Sequence, residues 1–125
     1  MTAPREQRLT IEVGASHTVS GLLDRPDAAR ALLVLAHGAG AGMEHPSMQT
    51  VAGGLAKRGI ATLRYQFPYM ERKSRRPDPP PLCHATVRAA VTAASRLAPD
   101  LPLIAGGRSF GGRMTSQAQV QMPLP

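Results

Sequence analysis

The sequence has no tryptophan, and its two Phe and two Tyr leave it only 3% aromatic over 125 residues. With 42% hydrophobic residues it can still bury a core, which is expected to be aliphatic: Ala, Leu, Val and Ile, with Met as filler. Such a core suits a sheet covered by closely approaching helices. The single Cys83 excludes an internal disulfide framework and a Cys-rich zinc site, and makes a reducing, cytoplasmic compartment the default expectation. No apolar run approaches the roughly 18 residues that a membrane span needs, and MTAPREQRLTIEV is polar where a signal peptide carries an apolar core, so no membrane partner is expected. Acidic residues are scarce, 8 against 15 Lys and Arg, and the net charge is +7. The positive residues are scattered except for Arg72, Lys73, Arg75 and Arg76. With so few aromatic rings to stack bases, that cluster reads as a solvated loop and no nucleic-acid partner is expected.

What is present follows an alternating order. Arg8 to Val13 (RLTIEV) and Thr18 to Leu23 (TVSGLL) have extended patterns around the turn-like Gly14 to His17, which predicts an antiparallel hairpin. After DRPD, Ala31 to Ala36 (ALLVLA) is a continuous apolar run, the pattern of a strand buried on both faces. From Pro46 onward, Met48, Val51, Ala52 and Leu55 repeat at helical spacing, and Gly59 follows where a left-handed cap belongs. Ile60 to Tyr65 (IATLRY) then completes a strand, helix and strand whose two strands should be parallel. Gln66 to Leu82 holds five prolines and the basic cluster and predicts a surface loop. A second helix at roughly His84 to Leu97 presents Val87, Ala90, Val91, Ala94 and Leu97 on one face. A strand at Leu101 to Ala105 and a helix at Gly111 to Gln121 finish the order, and no internal repeat is visible. The fold class is therefore α/β, a mostly parallel sheet with flanking helices behind an N-terminal antiparallel hairpin.

Gly107, Arg108, Ser109, Phe110 and Gly111 form G-x-S-x-G between that last strand and helix. A serine on so sharp a turn stands clear of the sheet, and the residues two before and two after it must be small because side chains there collide. The turn also aims helix N-terminal N–H groups at any oxyanion formed beside the serine, with Phe110 N–H as the first donor. His37, Gly38, Ala39, Gly40, Ala41 and Gly42 follow the earlier buried strand, where a second donor is needed; Ala39 N–H is the candidate, Gly38 shapes the turn, and His37 holds the loop by hydrogen bonding.

The element order, HGAGAG after the first parallel strand, GGRSFGGRM after the third, and LRYQFPYMERKSRRPDPPP after the second resemble the N-terminal half of the α/β-hydrolase superfamily. Within it, the dienelactone-hydrolase-like group of predicted bacterial hydrolases is the nearest in wording. The resemblance runs from Leu9 to about Gln121, so residues 1–125 are expected to form a single incomplete α/β-hydrolase domain. It implies that Ser109 attacks an ester, amide or related acyl centre of a small-molecule substrate, that a histidine removes its proton, and that an Asp or Glu orients the histidine. It implies no metal and no organic cofactor. Dienelactone hydrolases proper carry a cysteine at the nucleophile position; Ser109 stands here, so lactone specificity is not carried over.

In this family the acid and the histidine follow the serine in the chain, yet residues 110–125 contain no Asp, Glu or His. His17, His45 and His84 lie upstream, and each is expected to be a loop, helix-start or surface residue, with His45 the nearest of them in order to the oxyanion loop. A serine without a base is a poor nucleophile, so a truncated hydrolase with trace activity is expected, and an inactive remnant or binding protein of the same fold is the alternative. A phosphate-binding loop at Gly107 to Met114 fails chemically, since Arg113 replaces the lysine and Met114 has no hydroxyl for Mg²⁺. The nucleophile-bearing strand is central in the family's sheet, so its far edge is expected to be exposed and to drive self-association. Light scattering on the purified chain should show species larger than a monomer; a sharp monomer peak with cooperative unfolding is the contrary result.

Overall fold

A computed structural model describes residues 6–124. β1 (Glu6–Val13) and β2 (His17–Asp24) form the hairpin, with Gly14 taking the positive φ that its turn requires. β3 (Ala31–Ala36), α1 (Pro46–Ala56) and β4 (Ile60–Tyr65) form the βαβ unit, and its strands pair in parallel from Ala31 opposite Ile60 to Ala36 opposite Tyr65. A short α2 (Pro68–Glu71), a long α3 (Pro80–Leu97), β5 (Leu103–Gly107) and α4 (Phe110–Gln121) complete the chain. The five strands make one sheet in the order β1-β2-β4-β3-β5, antiparallel at β1-β2 and β2-β4 and parallel elsewhere. Among the described residues β5 pairs only with β3, and Ile104 on it is 54% exposed.

Strand alternation gives the sheet two covered faces. On one, Leu32, Val34, Ala36, Ala61 and Leu63 pack against Val87, Ala90, Val91 and Ala94 of α3 and Met114 and Ala118 of α4. The other face lies under α1, which buries Met48 and Ala52 but leaves Val51 41% exposed, so the helical stripe is narrower than its spacing suggests. The α1 face also carries a polar row. Glu6, Asp24 and Thr62 are in register across three strands, and the buried Arg64 guanidinium donates to Met43 O (3.1 Å) and to Glu6 Oε2 (2.9 Å). Asp24 Oδ1, Thr62 Oγ1 and Arg64 Nε are buried without protein partners. Burial raises the Asp24 carboxyl above its ordinary range, against the attraction of Arg64.

Three segments depart from the sequence expectation. α3 begins at Pro80, four residues early, because proline is tolerated in a first helical turn, where its missing N–H has no partner to lose. β5 is shifted by two residues at both ends from the expected 101–105, beginning at Leu103 and ending at Gly107, since glycines are needed beside Ala36 and the ladder continues through them. Residues 66–82 are not simply a surface loop: Lys73, Arg75 and Arg76 are exposed, but Phe67, Tyr69 and Asp78 are buried. The aliphatic core is likewise incomplete as a description. All four aromatic residues meet in one cluster, with Tyr65, Phe67 and Tyr69 fully buried.

Between β5 and α4 the backbone reverses sharply. Arg108 N–H donates to Ala36 O (3.1 Å), Gly111 N–H turns back to Arg108 O (2.8 Å), and Arg113 N–H makes the first helical bond to Ser109 O (3.0 Å). Ser109 is left at φ 47° and ψ −109°, a conformation that costs a non-glycine residue ~1–3 kcal/mol and persists only where its surroundings impose it. Ala36 imposes it. A Cβ on Gly111 would stand 2.7 Å from Ala36 Cβ, and one on Gly107 2.8 Å from the same atom. Gly111→Ala should therefore cost about 1–3 kcal/mol of overpacking strain in chemical denaturation. Gly40→Ala, whose Cβ meets nothing within 4 Å, should stay within about 0.5 kcal/mol. For Asp24, a raised folded pKa means stability present below the ordinary value of 3.8 and lost as pH rises through the folded value. Asp24→Asn should accordingly raise the melting temperature at pH 7, and the gain should vanish below that ordinary value.

Candidate active site

Ser109 sits at the N-terminus of α4, solvent-exposed, and its Oγ makes no hydrogen bond among the described residues. No acidic residue occupies the first turn of α4, so the positive end of the helix is uncompensated there. Phe110 N–H, the first amide of the helix, donates to no other group among the described residues, and neither does Ala39 N–H. The loop that carries Ala39 lies against the turn. A Cβ on Gly38 would touch Arg108 O at 3.7 Å and Ser109 Cβ at 4.0 Å, and a bridge between Gly38 and Ala41 closes the loop on itself. Two free N–H donors are thus carried on the two backbone segments that meet at Ser109, which is the element set for stabilising a tetrahedral oxyanion.

His37 is fully buried and both its nitrogens are committed. Nε2 faces the Phe67 N–H (3.1 Å) and must be the bare acceptor, while Nδ1 faces Gly38 O (2.6 Å) and must carry the hydrogen. Burial lowers its pKa, the bond to Gly38 O acting in the other direction. A neutral imidazole in this fixed tautomer has no free nitrogen to take a proton from Ser109. Its place is in the loop's support.

The His37 ring meets Phe67 and Tyr69 edge to face, and those two rings, stacked on each other, carry the other aromatic contacts. His37 lies 5.1 Å from Phe67 and 5.9 Å from Tyr69, and Phe110 is 5.5 Å and 6.0 Å from those same two rings. Tyr69 was not singled out by the sequence reading. Its hydroxyl donates to Ala39 O (2.9 Å), and its own N–H donates to Asp78 Oδ2 (2.8 Å), a buried carboxylate that also accepts from Arg72 (3.0 Å). Burial pushes the Tyr69 hydroxyl up to about 12, so it remains a donor at physiological pH. The available signal was Tyr69 and Asp78 together in an otherwise proline-rich and basic segment, but nothing in that spacing points at Ala39.

Of the remaining histidines, His17 lies at the start of β2. His45 Nδ1 caps α1 by accepting from Ser47 N–H (3.1 Å). His84 is buried in the first half of α3 and bonds Gln117 Oε1 of α4 (2.8 Å). Arg108 reaches from the turn to Ser47 Oγ (2.6 Å), and Arg113 lies over the Phe110 ring at 5.8 Å. Cys83 is buried, and burial raises its thiol to about 12, which leaves it inert. Among the described residues no three His, Cys, Asp or Glu side chains converge as metal ligands, and no helix is long and apolar enough to cross a membrane.

The geometry has counterparts in known proteins. A dienelactone hydrolase from Anabaena variabilis superposes with a TM-score of 0.82 at 23% identity, over 96% of this chain and 59% of the other. An alpha-beta serine hydrolase homologue from Coxiella burnetii gives 0.77 at 16% identity, over 98% and 60%. A lidless α/β serine hydrolase from Xanthomonas campestris gives 0.76 at 19%, over 98% and 59%. At these identities the likeness is one of fold, and the chain spans about three fifths of the length of these structures. No curated protein sequence matches it significantly. The family model described as an alpha/beta hydrolase domain matches residues 29–123, from the turn before β3 to just past α4, taking in the loop 37–42 and the turn at Ser109. The chain belongs to the alpha/beta hydrolase family.

Proposed function

We propose that this chain carries the nucleophile and oxyanion donors of a serine hydrolase acting on an ester or related acyl bond of a small molecule. Ser109 Oγ attacks the acyl carbon, and the N–H groups of Phe110 and Ala39 receive the negative charge that develops on the acyl oxygen. Gly107, Gly111 and Gly38 let the two backbone segments approach closely enough for this, and His37 fixes the loop. The observation that carries the reading is the strained Ser109 itself, held at positive φ beside two unengaged N–H groups. Nothing in the general packing of an α/β sheet requires a serine in that conformation.

The general base and its carboxylate partner are not assigned among these residues in this reading, because both nitrogens of His37 are bonded, His45 and His84 each bond a residue other than Ser109, and 110–125 contain no Asp, Glu or His. That bonding favours a second reading, a domain that keeps the fold without turnover. Reaction with a serine-directed fluorophosphonate separates the two. Labelling should fall on Ser109 by peptide mass spectrometry and disappear in Ser109→Ala, at a rate well below that of a complete triad, for which loss of the base alone costs on the order of 10⁴–10⁶-fold. Complete absence of adduct at Ser109 after prolonged exposure is the result that leaves the second reading standing.

A further inference from the structure

Within the loop that presents Ala39, the backbone bridge Gly38–Ala41 is the internal restraint found among the described residues. His37 to Gly42 contains three glycines, and neither Gly38 nor Gly40 is held by close packing of its α-carbon. An oxyanion donor is effective only if its direction is set before the charge appears. In a trans peptide the C=O and N–H of one plane point in opposite directions, so a bond to a carbonyl aims the N–H of the following residue. His37 Nδ1–H bonds Gly38 O and thereby aims Ala39 N–H, while Tyr69 Oη–H bonds Ala39 O and holds the next plane, which carries Gly40 N–H. With both flanking planes held, the φ and ψ of Ala39 are restrained by His37 at the base of the loop and by Tyr69 from outside it.

Resting on the reading of Ser109 given above, we propose that Tyr69 is a positioning residue for the oxyanion site, with Asp78 as its anchor. Its hydroxyl locks the Ala39–Gly40 peptide, and its ring packs edge-on against Phe110, the residue that supplies the other donor. Tyr69 is the one side chain that touches both donor segments by these contacts. Asp78 holds the Tyr69 backbone through a buried bond of 2.8 Å, so the tyrosine enters the cluster from a fixed point and not from a mobile loop. Residues 66–82, which the sequence presents as a proline-rich excursion, therefore reach the oxyanion site through the Tyr69 hydroxyl as well as through Phe67, whose N–H donates to His37 Nε2.

Phenylboronic acid tests this without requiring turnover. Its boron accepts the Ser109 Oγ lone pair to form an O–B bond, the hydroxyl proton passes to solvent, and the tetrahedral anion places an oxygen where an oxyanion would lie. Tyr69→Phe keeps the ring and deletes only the hydroxyl. Its affinity for phenylboronic acid, followed by the ¹¹B resonance of the tetrahedral adduct, should fall at least fivefold at a temperature well below unfolding. Val87→Ala, a core truncation on α3, should lower the melting temperature and leave the affinity unchanged. Wild-type affinity in Tyr69→Phe, with or without lost thermal stability, overturns the positioning role. If Tyr69→Phe does not fold, Asp78→Asn is read in the same way: weakened adduct formation supports the role and unchanged affinity overturns it. Absence of an adduct in the unmodified chain, or an adduct that survives Ser109→Ala, instead removes the nucleophile reading and this inference with it.

Discussion

The structure depends on one close approach, that of Ala36 at the end of β3 to Gly107 and Gly111 on either side of Ser109. Ala36 is fully buried, its carbonyl takes the Arg108 N–H, and its methyl fills the space that a Cβ on either glycine would need. Because β3 and α4 meet with no side chain between them, the connection must reverse within two residues, and Ser109 is left in a backbone conformation it would not choose. The same approach brings the loop after β3 against the serine, since His37 and Gly38 follow Ala36 directly. The serine turn and the oxyanion loop are thus two consequences of a single packing contact.

A second constraint is the scarcity of aromatic residues and their concentration. Tyr65 and Phe67 lie at and just past the end of β4, Tyr69 is in α2, and Phe110 opens α4, and all of them pack around or next to His37. Large planar side chains with few rotamers make rigid contacts, and here they are spent on the end of the sheet where backbone N–H groups must be held in fixed directions. The rest of the core is aliphatic and serves to join sheet to helix. Rigidity is placed where orientation matters, and the neutral, doubly bonded His37 belongs to that rigid group and not to proton transfer.

The charged residues follow a different rule. Asp78 and Arg64 are buried and engaged in bonds that organise backbone, whereas most of the positive charge, including Lys73, Arg75 and Arg76, lies in water. Among the described residues, the side-chain polar atoms buried without partners belong to Asp24, Thr62 and Arg64, on the α1 face of the sheet. The net positive charge therefore shapes the exterior and tells little about the chemistry at Ser109.

Much of this was legible in the sequence. The period-2 runs, the apolar run Ala31–Ala36, the helical spacing after Pro46 and the glycines flanking Ser109 are local signals, and local signals set element type, parallel pairing and the serine turn, because hydrogen-bond periodicity and φ/ψ permissiveness act over a few residues. The start of α3, the extension of β5 to Gly107 and the exposure of Val51 were not legible, since each depends on which neighbour packs against it. The roles of Tyr69, Asp78 and His84 were hidden for the same reason: they bond to residues 9 to 33 positions away, and no spacing rule connects them. The sequence by itself determined the order of the elements other than α2 and the residue that stands at the turn. The tertiary structure decided that both nitrogens of His37 are bonded and that the Tyr69 hydroxyl donates to Ala39 O, because the direction of an N–H and the availability of a ring nitrogen exist only once distant segments have been brought into contact.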